Sequence, residues 1–144
     1  MVEIISKSVS DTKKAASELA EYMKNNNLRI VSLKGSLGAG KTVFVKGFCG
    51  ECGVDEYTVK SPTYTYMRKY KNENGDIYHF DYYRLDAPDE TIFEELSEIM
   101  ASCGAKLLIE WPEKISRVLP DNKIEVIIAH GETENERIIK IIKP

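Results

Sequence analysis

Residues 35–42 read GSLGAGKT and follow the apolar run LRIVSL after a single lysine, Lys34. The pattern G-x-x-x-x-G-K-[ST] is that of a phosphate-binding loop, in which backbone N–H groups surround phosphate oxygens, the lysine reaches the β- and γ-phosphates and the final hydroxyl binds Mg²⁺. On that reading Ser36, Leu37, Gly38, Ala39 and Gly40 supply the backbone cradle, Lys41 the cation and Thr42 the metal-binding hydroxyl. Glycines are needed there because a Cβ would block both the positive φ angles and the close approach of backbone to phosphate. A flexible turn carrying a solvated lysine would use the same residues. Context argues against it, since a strand pattern precedes the loop and a helix pattern follows. Without nucleotide, the lysine is expected to face solvent.

Such a loop needs an acidic partner for the metal, best placed at the C-terminal end of a buried neighbouring strand. KLLIE at 106–110 is apolar until its last residue, which makes Glu110 the candidate; the plainer alternative is a glutamate that merely ends a strand before Trp-Pro. Cys49 and Cys52 form a C-x-x-C, CGEC. A redox pair wants its attacking thiol at a helix N-terminus, where the dipole favours thiolate, whereas this pair falls at the C-terminal end of the helix that starts at Lys41. Zinc is less favoured still, because Cys103, His79 and His130 offer no second closely spaced pair.

The elements that must hold these residues fit one domain. The chain has 144 residues, 42% hydrophobic and 30% charged, enough for a single P-loop domain over residues 1–144 and too few for a second. Its longest apolar runs fall far short of the roughly 18–20 residues of a membrane span, and MVEIISKSVSD lacks the apolar core of a signal peptide, so a cytoplasmic protein is expected. With a net charge of −3 and scattered Lys and Arg, there is no sign of the basic face that grips nucleic acid by its phosphates.

Ser10 or Asp11 is expected to cap a helix running to about residue 25, with Ala15, Leu19, Ala20 and Met23 on one face. Strand 28–33, the glycine loop and a helix from Lys41 follow, the helix stopped by Gly50 and Gly53. TYTYMRKY and DIYHFDYY flank KNENG and read as a β-hairpin. Asp86 and Pro88 open a helix bearing Ile92, Phe93, Leu96, Ile99 and Met100. KLLIE then forms a buried strand, and KIEVIIA and ERIIKII an antiparallel pair around HGETEN. The sum is an α/β, P-loop NTPase-like three-layer domain with a mixed parallel and antiparallel sheet.

LGAGKT, KSPTYTY at 60–66, YHFDYYRL at 78–85 and IEWPEKI at 109–115, with LP at 119–120, resemble in order and spacing the TsaE family, formerly YjeE. The resemblance spans most of the chain, and no general nucleotide-binding argument requires those segments in succession. It implies a small bacterial ATPase, with ATP and Mg²⁺ as cofactors, needed to make N6-threonylcarbamoyladenosine at position 37 of tRNAs reading ANN codons. TsaD and TsaB are its implied partners, a pair that this family is thought to reset between rounds. Any contact with tRNA is then indirect.

Carried over by residue, the resemblance makes Lys41 and Thr42 the phosphate and magnesium contacts and Glu110 the Walker B-like carboxylate. Thr63, in Ser61-Pro62-Thr63, resembles a switch-type residue sensing the γ-phosphate; without the family the segment reads as a proline-set turn. Asp81 resembles the aspartate that orients or deprotonates the attacking water. Orienting suits it better, since a carboxylate of ordinary pKa, about 4, is a weak base. Arg84 would neutralise phosphate or pair with Asp81. Trp111 would lie at the nucleotide or pack in the core, and Thr12 matches a threonine near the adenine side. Ser36 and Val43 stand where the family often has Asp and a second Thr, and the tail TENERIIKIIKP does not show the family's C-terminal pattern. Two other readings are weaker. A small-molecule kinase would need an arginine-rich lid, and Arg29, Arg68, Arg84, Arg117 and Arg137 form no cluster; a nucleotide-dependent binding module would differ only in turnover.

Overall fold

The computed structural model describes residues 1–62 and 65–144. Ten main elements follow one another: β1 (Val2–Ser6), α1 (Val9–Asn25), β2 (Ile30–Lys34), α2 (Lys41–Glu51), β3 (Met67–Tyr70), β4 (Ile77–Asp81), α3 (Glu90–Ala101), β5 (Lys106–Glu110), β6 (Ile124–His130) and β7 (Arg137–Ile142). Two 3₁₀ segments, Glu56–Thr58 and Pro112–Val118, complete the chain order. All seven strands join one sheet in the order β1-β7-β6-β2-β5-β4-β3. Its centre, β6-β2-β5-β4, is parallel, and β1, β7 and β3 extend it antiparallel on either side.

Parallel strands are buried on both faces, which is why β2 and β5 read as nearly unbroken apolar runs rather than alternating ones. On one face Ala16, Leu19 and Met23 of α1 and Phe44, Val45 and Phe48 of α2 pack against Val31, Leu33, Leu108 and Val126. On the other, Phe93 and Leu96 of α3, with Ile115, cover Ile30, Phe80, Leu107 and Ile109. These are the three layers that the sequence implies. α1 and α2 approach closely enough that a Cβ at Gly47 would come within 2.6 Å of the Lys13 backbone.

Several boundaries differ from the sequence reading. Ser8, not Ser10 or Asp11, caps α1: its extended backbone lets Oγ accept from the Asp11 N–H at 3.1 Å, while the Asp11 carboxylate accepts from the Lys7 N–H at 2.9 Å. That reciprocal arrangement resembles a capping box and makes Asp11 the third helical residue. Gly50 lies inside α2; the stop is Gly53, whose φ of +94° is the left-handed conformation that ends helices. α3 opens later than expected, with Asp89 as cap accepting from the Ile92 N–H at 3.0 Å. β1 has no counterpart in the sequence reading. Its five residues pair with β7, at the far end of the chain.

Candidate functional site

β2, β5 and β4 run in parallel register, with Leu33 opposite Glu110 and Glu110 opposite Asp81. In-register residues of neighbouring strands point to the same side, so Glu110 and Asp81 leave the sheet together at its C-terminal edge, where α/β folds open their binding crevice. The glycine loop departs from β2 at the same edge and enters α2. Gly38 and Gly40 hold φ angles of +78° and +104°, a backbone path that a Cβ would strain. Gly40 is the N-cap of α2, and among the described residues no side chain caps that end. An eleven-residue helix therefore turns uncapped N–H groups and the positive end of its dipole toward the loop.

Lys41 is not solvent-facing. It is 7% exposed; its Nζ donates to the Gly35 carbonyl at 2.7 Å, lies 3.7 Å from Glu110 Oε1 and sits 4.7 Å from the centre of the Trp111 ring. A carbonyl, a carboxylate and an aromatic face together replace the water that an ammonium gives up on burial. Glu110 is 3% exposed, and its second oxygen accepts from His79 Nε2 at 2.5 Å. The carboxylate is thus held by His79 on one side and turned to Lys41 on the other.

His79 was weighed in the sequence only as a zinc ligand. The signal that could have found it is period two: His79 precedes Asp81 by two residues on β4, so both project from the face on which Glu110 stands. Its side chain is fully buried, and its Nδ1 has no hydrogen-bond partner among the described residues. Trp111 takes φ +57°, a conformation that costs a bulky residue about 1–3 kcal/mol and persists where surrounding contacts impose it. Tyr83 supplies one such contact, ring to ring at 5.0 Å, and Pro112 begins the 3₁₀ segment immediately after.

A cleft of about 260 Å³ is lined by Leu37, Gly38, Gly40, Lys41, Thr42, Asp81, Glu110 and Trp111 among others. Five residues singled out for their side chains in the sequence meet there: Lys41, Thr42, Asp81, Glu110 and Trp111. Ser36 borders a neighbouring cleft with Lys41 and Trp111, and Ala39 is fully buried. A larger cleft of about 410 Å³ shares Leu37, Ser61 and Asp81 and adds Tyr83 and Arg84. Asp81 Oδ1 accepts from the Tyr83 N–H at 3.0 Å, and among the described residues no ion pair joins it to Arg84. Thr12 lies apart from these clefts, buried in α1 with its hydroxyl 2.7 Å from Ser6 Oγ. Thr63 is outside the described residues. The C-x-x-C sits as the sequence implies, late in α2, and burial followed by repulsion from Cys52 pushes the Cys49 thiol up to about 12.

A family model described as threonylcarbamoyl adenosine biosynthesis protein TsaE matches residues 6–139. The chain belongs to the TsaE family. Similar proteins, each called tRNA threonylcarbamoyladenosine biosynthesis protein TsaE, occur in Rickettsia felis, 43% identical over 136 residues, and in Aquifex aeolicus, 33% identical over 142. The first match covers 92% of this chain and 74% of the relative, the second 98% and 96%. The crystal structure of Bacillus subtilis YdiB superposes with a TM-score of 0.75 at 26% identity, over 99% of this chain and 84% of that one. TsaE membership and the mixed-sheet, P-loop NTPase-like fold thus agree with what the sequence segments implied. No helix is long and apolar enough to cross a membrane among the described residues.

Proposed function

We propose that this TsaE-family chain binds ATP with Mg²⁺ at the loop and hydrolyses it to ADP and phosphate, in the cytoplasm, in support of TsaD and TsaB as they form N6-threonylcarbamoyladenosine at position 37 of tRNAs reading ANN codons. The observation that supports this reading is the single cleft gathering Lys41, Thr42, Asp81, Glu110 and Trp111 beside an uncapped helix N-terminus. The donor set fits the cofactor: positive-φ glycines, a lysine, a hydroxyl and a carboxylate are the parts that a magnesium nucleotide requires.

Lys41 would exchange the Gly35 carbonyl and Glu110 for the β- and γ-phosphates. Thr42 Oγ1 and Glu110 Oε1 would hold the magnesium ion, which when bound neutralises charge across those phosphates. Asp81, anchored by the Tyr83 N–H and facing both clefts, would orient the attacking water. Arg84, at the rim of the larger cleft and unpaired with Asp81, is then the residue that neutralises phosphate; Thr63 would sense its presence.

The test is ATP hydrolysis measured with the chain alone and with the TsaD–TsaB pair. A slow rate alone that rises in the pair's presence is expected, because transition-state charge completed by a partner is worth ~10³–10⁵ in rate. A rate indifferent to the pair removes the partner assignment, and no hydrolysis in either mixture removes the ATPase assignment.

A further inference from the structure

The C-terminal hairpin carries a contact to the loop that no sequence argument assigns. Arg137, the first residue of β7, sends Nε to the Ala39 carbonyl at 3.1 Å and Nη2 to the Gly38 carbonyl at 3.5 Å. Its remaining nitrogen, Nη1, donates to the Glu134 carbonyl at 2.6 Å and the Glu136 carbonyl at 2.9 Å. One guanidinium thereby ties the glycine loop to the β6–β7 hairpin, nearly a hundred residues away in sequence. The hairpin is itself fixed: the Gly131 N–H donates to the Glu136 carbonyl at 2.8 Å, and His130 pairs with Arg137 across the strands.

We infer that Arg137 is a positioning residue for the phosphate-binding loop, which holds the Ala39 and Gly38 carbonyls away from the phosphates so that the Gly40 N–H is presented to them. The inference rests on the proposed nucleotide site. Among the described residues all peptide bonds are trans. In a planar trans peptide the C=O of one residue and the N–H of the next point in opposite directions, so an Ala39 carbonyl held by Arg137 turns the Gly40 N–H to the opposite side. Gly40, on the C-terminal side of that peptide, holds φ +104° and carries no Cβ to hinder a flip, and a flipped peptide would aim a carbonyl oxygen at an anion. A guanidinium suits this task because its planar fork reaches two carbonyls at once, which a lysine ammonium on a flexible stem does not reproduce. It also adds a second cation behind the loop, on the side opposite Lys41's carboxylate partner.

The experiment is calorimetric titration of the full chain with Mg·ATP and, separately, with Mg·pyrophosphate, for the unmutated protein and for Arg137→Ala, Arg137→Lys and Glu136→Ala. Amide hydrogen exchange at residues 38–42 is followed in the same proteins without nucleotide. Arg137→Ala should weaken ATP and pyrophosphate to the same degree, about tenfold or more, and speed exchange in the loop. Arg137→Lys should stay within about threefold of the alanine variant, because charge without the fork does not fix both carbonyls. Glu136→Ala, which removes the carboxylate that accepts from the Glu132 N–H at 3.3 Å in the hairpin turn but keeps the guanidinium, should bind nearly as well as the unmutated chain. Unaltered affinity in Arg137→Ala, a lysine variant as tight as arginine, or equal loss in Glu136→Ala each overturns the assignment while leaving the nucleotide site standing. No binding of either ligand to the unmutated chain overturns both.

Discussion

Asp81 and Glu110 stand opposite each other on neighbouring parallel strands, but their surroundings differ sharply. Glu110 is 3% exposed, bonded to His79 and turned to Lys41, whereas Asp81 is half-buried and anchored through the Tyr83 N–H. On the proposed reading the first would act on what the loop binds, and the second on what approaches it.

Separable roles are therefore expected. Glu110→Ala should weaken the magnesium-dependent part of ATP binding along with turnover, because an ion held by Glu110 would already neutralise phosphate charge in the ground state. Asp81→Asn should keep ATP affinity within a few fold and lower kcat by roughly 10²–10⁴, since its contribution appears in the transition state. Binding by calorimetry and single-turnover hydrolysis check both. Equal loss of affinity in the two variants would put Asp81 in the metal shell as well.

Trp111 is the sole tryptophan, and the Lys41 ammonium lies against its ring. When Lys41 turns to phosphate that contact changes, so Trp111 emission should shift on adding ATP or ADP. The response should be lost in Lys41→Met at nucleotide concentrations that saturate the unmutated chain. A spectrum indifferent to saturating nucleotide would leave the indole a packing residue only.

The buried Cys49 thiol gives a prediction in pH. Its folded-state pKa is raised from 9.0 to about 12, with desolvation the main cause. Between those values the unfolded thiol loses its proton while the folded one keeps it, so the folded state binds more protons. Stability from this group is complete below pH 9 and falls as pH rises toward 12. Urea unfolding across that interval should show Cys49→Ala with a shallower decline than the unmutated chain. At pH 8, exposed Cys103 should alkylate well before Cys49.

How much of this was legible in the sequence follows from how local each signal is. The loop, α2 and β5 announce themselves because their requirements are met within a few residues: glycines at fixed spacing, then a lysine and a threonine, and an apolar run ending in Glu110. The β3–β4 hairpin is equally local. β1 escaped because VEIIS is short and is stabilised by β7, more than a hundred residues away, rather than by any neighbour in sequence. His79 and Arg137 escaped for the same reason. A histidine in a strand and an arginine after a turn become informative only when the sheet sets one beside Glu110 and the other beside Ala39. Lys41 was misjudged as solvent-facing because its neighbours Glu110 and Trp111 come from β5 and the turn after it.

The central claim is tested most directly by calorimetric titration of Mg·ATP into the unmutated chain and Lys41→Ala. Removing Lys41 leaves the buried Glu110 with His79 alone, so the variant should also lose about 1–3 kcal/mol of stability, and the titration is run where circular dichroism shows it folded. The account predicts saturable one-to-one binding to the unmutated chain and affinity at least about tenfold weaker in the variant. Equal affinity in the two proteins, or no binding to the unmutated one, would contradict it.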